Sequence, residues 1–378
     1  MTTGLSGDPR LARWAQVITE FCTEIKPGER VEITGEIEGS PLMLALYRHC
    51  LMLGAYPVLK PVLPEAAELF YRYANTDQLT HVHRTALFEA SHTDVSLHVA
   101  AETNTKALAG VEPAKISKVR LARQALSRIR KEHVRWNITS YPTDAYAQDA
   151  GMSKSDFAEF IFSAGFLNHE NALDHWKRLR SRQQKMTEAL QHVKAFRIES
   201  NTSDLTLGVA GRRICESSGK VNMPDGEIYT GPLENAVNGF IRFSFPGYYM
   251  GQVVSGIHLD FKKGKVVRAS AETNERFLIQ MLDTDPGARR IGELGIGTNW
   301  GVRQFTQNLL FDEKMGGTIH LALGDAYRET LGKNRSAIHW DILHDLRSNG
   351  RILADHEILM ENGEFCGRFL EIWNDAGR

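Results

Sequence analysis

The sequence predicts an α/β chain in two parts. An N-terminal α/β domain with a mostly parallel sheet spans residues 1–195, and a mixed α+β C-terminal domain spans residues 196–378. Three observations carry this reading. Helix-period and strand-period segments alternate from Leu11 to the segment that starts at Asp94, the rhythm of helices laid on a parallel sheet. After Arg197 the texture changes to short β-rich segments. At 378 residues, with 42% apolar and 24% charged side chains, the chain can bury a large core, and two domains are the expected outcome.

The elements follow in order. Leu11 to Cys22 reads as an amphipathic helix. Pro27-Gly28 turns the chain into a strand, Arg30-Val-Glu-Ile-Thr34. Pro41 to Leu53 is a helix, the segment from Gly54 to Val62 leads into a second strand, Glu65 to Ala74 is again helical, and Asp94 to Val99 is a third strand. Lys115 to Glu132 is expected to form one basic helix, with Lys118, Arg120, Arg123, Arg128, Arg130 and Lys131 beside the apolar positions Val119, Ala122, Leu126 and Ile129. Asn171 to Phe196 is expected to form a second long helix, with a basic run from Lys177 to Arg182, that connects the two domains. Beyond it, Asp204–Val209, Gly239–Phe245, Ile257–Phe261 and Lys265–Ala269 have strand character. Asp260-Phe-Lys-Lys-Gly-Lys265 reads as a hairpin turn, and Asn274 to Leu282 as a helix.

Composition excludes several roles. A net charge of −1 argues against a nucleic-acid partner, and the basic helices lack the interleaved aromatics of a nucleic-acid groove. They are expected to be solvated faces. Cys22, Cys50, Cys215 and Cys366 are scattered, with no CxxC pair, which fits free thiols in a reducing cytoplasm. There is no apolar signal core and no run long enough to span a membrane, so no membrane partner is expected.

The chemistry concentrates between Glu293 and Asp341. Two imidazoles, His320 and His339, and the carboxylates Glu293, Glu313 and Asp341 lie within about fifty residues. Structural zinc takes four ligands and catalytic zinc three plus water, so this set is too large for one ion and suggests two metals sharing a carboxylate. Spacing supports the reading. In Ser336-Ala-Ile-His-Trp-Asp-Ile342 a strand puts His339 and Asp341 on one face and Ile338, Trp340 and Ile342 on the other. In Thr318-Ile-His-Leu-Ala-Leu-Gly324, His320 shares its face with Thr318 and Ala322. Ordinary strands with incidental histidines are the bland alternative; the second imidazole and the His-x-Asp pair weigh against it. His344 and His356 read as supporting or surface residues, and so do His81 and His83, which have no nearby carboxylate cluster.

A further motif, Asn222-Met-Pro-Asp-Gly-Glu227-Ile-Tyr-Thr230, precedes these. In order, Met-Pro-Asp-Gly-Glu, Gly-Glu-Leu-Gly-Ile-Gly, Leu-Phe-Asp-Glu-Lys, His-Leu-Ala-Leu-Gly, a tyrosine and His-Trp-Asp resemble the M29 family of metallo-aminopeptidases, the thermophilic metalloprotease family. The match is specific over roughly residues 222–345 and loose in the N-terminal half. It implies metal ligation by Glu227, Glu293, His320, His339 and Asp341, with Glu313 a possible additional ligand. It also implies a catalytic role for Tyr327, two divalent ions (zinc, cobalt or manganese), peptide substrates with a free N-terminus and a homodimer. The segment from Lys314 to Ile319 is longer than the family pattern, which leaves Glu313 the least secure ligand. Glu293 is the first candidate for general base; if it bridges the metals, Glu227 or Glu313 takes that role. Two other functions compete. A mononuclear iron oxygenase would use His339, Asp341 and a later histidine, but leaves the upstream glutamates unexplained. A non-enzymatic binding module would use the basic helices, but leaves the carboxylate and imidazole cluster without a role.

Overall fold

The computed structural model describes residues 7–375. The chain divides into two compact units. One runs to Trp176 and takes in Gly219–Pro224; the other comprises Lys177–Ser218 and everything from Asp225 onward.

The first unit is built on a five-stranded parallel sheet. Its order is Tyr56–Val62, Arg30–Glu36, Val95–Ala100, Arg135–Ser140 and Asn222–Met223. Val31, Ile33, Val95, Leu97 and Val99 alternate onto one face and are fully buried, as are Trp14, Leu42 and Leu46 from the helices Pro9–Gln16 and Ser40–Met52. The expected N-terminal helix continues through Cys22 as a π-helical stretch, Val17–Cys22.

Two helices differ from expectation. The basic segment is two helices, Pro113–Ala122 and Gln124–His133, parted at Arg123, whose ψ of 6° leaves the helical range. The first packs on Thr76–Thr80 and the second on Arg84–Ser91 and the strand Arg135–Ser140. One straight helix cannot cover both sets of neighbours. The long second helix is Ala172–Leu190, and Phe196 already belongs to the strand Ala195–Ser200, buried opposite Leu207. The division between the units falls inside this helix, after Trp176.

The second unit holds two larger antiparallel sheets and a short hairpin, Gly247–Tyr249 with Gln252–Val254. An eight-stranded sheet runs Lys265–Ser270, His258–Lys262, Val237–Arg242, Ser203–Gly208, Ala195–Ser200, Gly350–Ala354, Glu357–Glu361 and Glu364–Phe365. Its predicted hairpin turns at Lys263 and Gly264, both at positive φ, the primed geometry that matches strand twist. A five-stranded sheet runs His339–Asp345, Thr318–Gly324, Ile291–Gly297, Glu227–Thr230 and Cys215–Ser217. Trp340 and Ile342 are fully buried on its back, where Trp340 meets Tyr249 and Phe277 with ring centroids 5.6 and 6.0 Å apart.

His344 shares that back face. Its Nδ1 lies 3.0 Å from Ser244 Oγ, and its Nε2 lies 3.3 Å from Ser200 Oγ and 3.4 Å from Ser203 Oγ. Burial pulls its pKa down from 6.5 to about 4, with Asp345 opposing. The folded protein therefore holds a neutral imidazole that the unfolded chain protonates first. The stability it contributes is complete above about pH 6.5 and is lost as pH falls through 4, at most about 3 kcal/mol. We expect the thermal midpoint to fall between pH 7 and pH 4.5, and a His344→Gln variant to lose part of that slope. Equal slopes in the two proteins would assign the acid sensitivity elsewhere.

Candidate metal centre

The front face of the five-stranded sheet carries five of the predicted ligands on four neighbouring strands. Each stands opposite a residue with little or no side chain on at least one neighbouring strand, although His320 also faces Leu343 and Glu227 faces Ser217. Glu227 pairs with Gly297, Glu293 with Ala322, His320 with Gly295, Asp341 also with Ala322, and His339 with Gly324. Residues paired across antiparallel strands project from the same face, so the register gathers the ligands and clears the space between them.

Two glycines show how tight this is. A Cβ on Gly295 would lie 2.0 Å from Cε1 of His320, so the imidazole lies flat over that position. Gly226, at φ +132°, would bring a Cβ to 2.7 Å from the Cβ of Asn299. Its close approach ends the Pro-Asp-Gly turn and starts the Glu227 strand, which Gln183 ties down. That amide Nε2 donates to the carbonyls of Ser217 and Glu227 at 3.1 and 3.0 Å and to Thr298 Oγ1 at 2.9 Å.

The donors form two groups that share one residue: Glu227, Glu293 and His320, and Glu293, His339 and Asp341. Glu293 Oε1 lies 3.7 Å from His320 Nε2, and its Oε2 lies 3.3 Å from His339 Nε2. Glu227 Oε2 is 3.4 Å from His320 Nε2, and Asp341 Oδ2 is 3.3 Å from His339 Nε2. His339 donates from Nδ1 to the Asp325 carbonyl at 2.9 Å, which fixes the tautomer that leaves Nε2 as a lone-pair donor.

The carboxylates fit cations. Glu227 Oε2 and Asp341 Oδ1 are buried without a hydrogen-bond partner, a costly arrangement unless something positive completes it. The imidazoles respond to the same field. Burial opposes charge on His320, but Glu293, Glu227 and Asp341 lift its pKa to about 9. His339 is raised too, Asp341 and Glu293 overcoming burial. Asp341 in turn is held below the usual carboxylate range: burial works against this, and the His339 charge prevails.

Glu313 stands beside both groups and belongs to neither. Its Oε2 accepts from Lys314 Nζ at 3.0 Å, and burial pushes its pKa up to about 8, with Lys314 opposing. Tyr327 lies just beyond the end of the His320 strand, 44% exposed, with its ring 4.9 Å from that of His339. Burial raises its phenol above the ordinary tyrosine value, so it is a donor at neutral pH. His356 is exposed, as are His81 and His83 in the first unit.

Two residues of the centre have no role in the sequence reading. Lys314 is 1% exposed and donates to Glu227 Oε1 at 2.6 Å. Asp225, fully buried, lies 3.8 Å from Lys314 Nζ and accepts from Ser217 Oγ at 2.8 Å. The one sequence signal was a charged triplet, Asp312-Glu313-Lys314, at the end of an apolar run. Asp312 points elsewhere, accepting from Thr306 N and Oγ1 at 2.7 and 2.8 Å.

Comparison with known proteins places the chain among metallopeptidases. The family model described as thermophilic metalloprotease (M29) matches residues 7–365. Aminopeptidase 2 of Geobacillus stearothermophilus is 26% identical over 380 residues, covering 89% of this chain and 92% of its own. Aminopeptidase T of Thermus aquaticus is 28% identical over 295 residues, 67% of this chain and 71% of its own. Aminopeptidase AmpS of Bacillus subtilis is 24% identical over 408 residues, 94% and 98%. The structure of wild-type AmpT from Thermus thermophilus superposes with a TM-score of 0.80 at 23% identity, over 95% of this chain and 99% of that one, a likeness of fold.

The register argument is testable at Gly295. Gly295→Ala must displace the His320 ring, and we expect a folded protein with metal affinity lowered roughly 10- to 100-fold. His339→Ala and Asp341→Ala should each fold as well, because the core contacts of their strand are on the other face, and each should bind fewer metal equivalents. Elemental analysis after dialysis, with circular dichroism as the folding control, checks all three. Wild-type metal content in Gly295→Ala would show that the ring position is not what the metal requires.

Proposed function

The chain belongs to the M29 family of thermophilic metalloproteases, and we propose that it is an aminopeptidase that uses two divalent ions to remove N-terminal residues from peptides. The observation that carries this reading is Glu293, with one carboxylate oxygen turned to each donor group. Glu227, Glu293 and His320 would hold one ion, and Glu293, His339 and Asp341 the other. Zinc, cobalt or manganese suits such a mixed carboxylate–imidazole set. Ions held there would lower the pKa of bound water from about 15.7 to about 7, supplying hydroxide at neutral pH.

The protein's own groups supply the rest. Glu293 turns one oxygen to each donor group and would be the carboxylate shared between the ions. Glu227 is committed to Lys314 on one oxygen and turned to His320 with the other; Glu313 also meets Lys314 but belongs to neither donor group, so it would accept the proton released as water attacks once bound cations favour its charged form. Tyr327, protonated and with its ring tilted against that of His339, would donate to the oxyanion that develops on the scissile carbonyl. A free α-amino group on the substrate meets buried carboxylates, which is the basis for acting at chain ends. Residues 196–378 would be the catalytic domain of a cytoplasmic homodimer.

The alternatives lose support. The oxygenase triad on His339 and Asp341 would be completed by a later histidine, but His344 faces the serines on the other side of the sheet and His356 is exposed. The basic helix of the first unit is partly neutralised: Arg128 pairs with Glu132 at 3.1 Å and Arg130 with Glu32 at 3.3 Å.

Release of free amino acids from unblocked peptides should be abolished by chelator and be absent from N-acetylated ones. Equal cleavage of both would remove the aminopeptidase assignment. Tyr327→Phe should keep its metal content and KM while kcat falls by roughly a hundredfold, the cost of losing one oxyanion donor. A Phe variant with full turnover would make Tyr327 a packing residue.

A further inference from the structure

Lys314 is the one cation in contact with this centre among the described residues that is not an imidazole. An ammonium carries three donors and no acceptor. Here it faces three carboxylates, at 2.6 Å from Glu227 Oε1, 3.0 Å from Glu313 Oε2 and 3.8 Å from Asp225 Oδ1. Its place is built in. The Lys314 carbonyl accepts from Asn299 N at 2.9 Å, and Asn299 Nδ2 donates to the Asp225 carbonyl at 2.8 Å. The chain at Met315 lies so close over Gly297, the partner of Glu227, that a Cβ there would be 2.0 Å from the Met315 carbonyl oxygen. At 1% exposure the side chain cannot reach a substrate from this position.

We propose that Lys314 is a permanent cation of the centre and makes its two ion positions unequal, so that the Glu293–His339–Asp341 position retains its ion and the Glu227–Glu293–His320 position exchanges readily. This rests on the two-metal reading above and deepens it. The two donor groups have the same formal make-up: one imidazole, one carboxylate of their own and the shared Glu293. What differs is their surroundings. At the Glu227 position one carboxylate oxygen is already committed to the ammonium, and Glu313, which could strengthen that position, is held by the same lysine. A divalent ion arriving there is repelled by a fixed charge a few ångströms away, and inside a protein such repulsion is much stronger than in water. Each position has one buried carboxylate oxygen without a hydrogen-bond partner, Glu227 Oε2 and Asp341 Oδ1, but at the second the aspartate does not meet an ammonium and His339 is locked into its coordinating tautomer by Asp325. Among the described residues, the polar partners of His339 and Asp341 are each other, Glu293 and the Asp325 carbonyl, so the Lys314 charge reaches Asp341 only at longer range. An outer group of this kind shifts metal affinity by roughly 10- to 100-fold.

The test is a titration of the chelator-stripped full-length protein with Co²⁺, followed by visible absorbance and by equilibrium dialysis with elemental analysis. The expected result is two steps, the second roughly 10- to 100-fold weaker than the first. In Lys314→Met the second step should tighten toward the first, while Lys314→Arg, which keeps the charge, should preserve the gap. Two ions of equal affinity in the wild type, or an unchanged gap in a folded Lys314→Met, would overturn the proposal. Should Lys314→Met fail to fold, His320→Ala and His339→Ala decide: the first should lose the weak step and the second the tight one, and the reverse assignment overturns it. These failures leave the metal-dependent reading standing. A wild-type protein that binds no Co²⁺ at all would instead remove the two-metal reading itself, and this proposal with it.

Discussion

The cross-strand register of the five-stranded sheet is the constraint on which the rest of the centre depends. Backbone hydrogen bonds set which residue faces which, and here they set Gly295 under His320, Ala322 between Glu293 and Asp341, Gly297 beside Glu227 and Gly324 beside His339. A slip of one residue on the His339 strand would send His339 and Asp341 to the Trp340 side and bring indole into the centre. The buried back face resists that slip. Trp340 and Ile342 are fully buried there, and large apolar side chains cannot be exposed cheaply. Hydrophobic packing on one face thus holds the ligand geometry on the other.

Charge is the second constraint. Asp225, Glu227, Glu293 and Asp341 are all buried on or beside one sheet face, which would be prohibitive without positive partners. His320, His339 and Lys314 supply part of the compensation, and the unpartnered oxygens of Glu227 and Asp341 mark where it falls short. Lys314 differs from a bound ion in being covalently attached. It stays in place whatever else is bound, so the protein carries some of its compensation in its own sequence, on the Glu227 side of the centre.

The rim of the centre has a different character. Tyr327 follows the His320 strand through Gly324 and is held by rings, 4.9 Å from His339 and 5.9 Å from Tyr229, where the strand ligands are held by ladder register. Tyr327 is partly exposed, whereas Glu227, Glu293, His320 and Asp341 are buried. Loops and strand ends commonly carry the exposed groups and strands the buried ones.

Much was legible in the sequence, for local reasons. Strand alternation placed His339 and Asp341 opposite Trp340 and Ile342, and His320 beside Ala322, because side-chain direction in a strand has period two whatever the strand pairs with. The parallel sheet of the first unit followed from its helix–strand rhythm for the same reason. The helix that breaks at Arg123 and the one that stops at Leu190 were not legible, since their ends are set by neighbours distant in sequence. The ligand types and their order along the chain were determined by sequence alone. Which of these side chains group together, that Glu293 stands between the two groups, that Glu313 turns to Lys314 and that a lysine lies buried among carboxylates were decided only by the tertiary structure. Those facts depend on how separate strands and loops come together, Glu227 and Lys314 for instance being 87 positions apart in the chain, and only the pairing of strands brings such residues together.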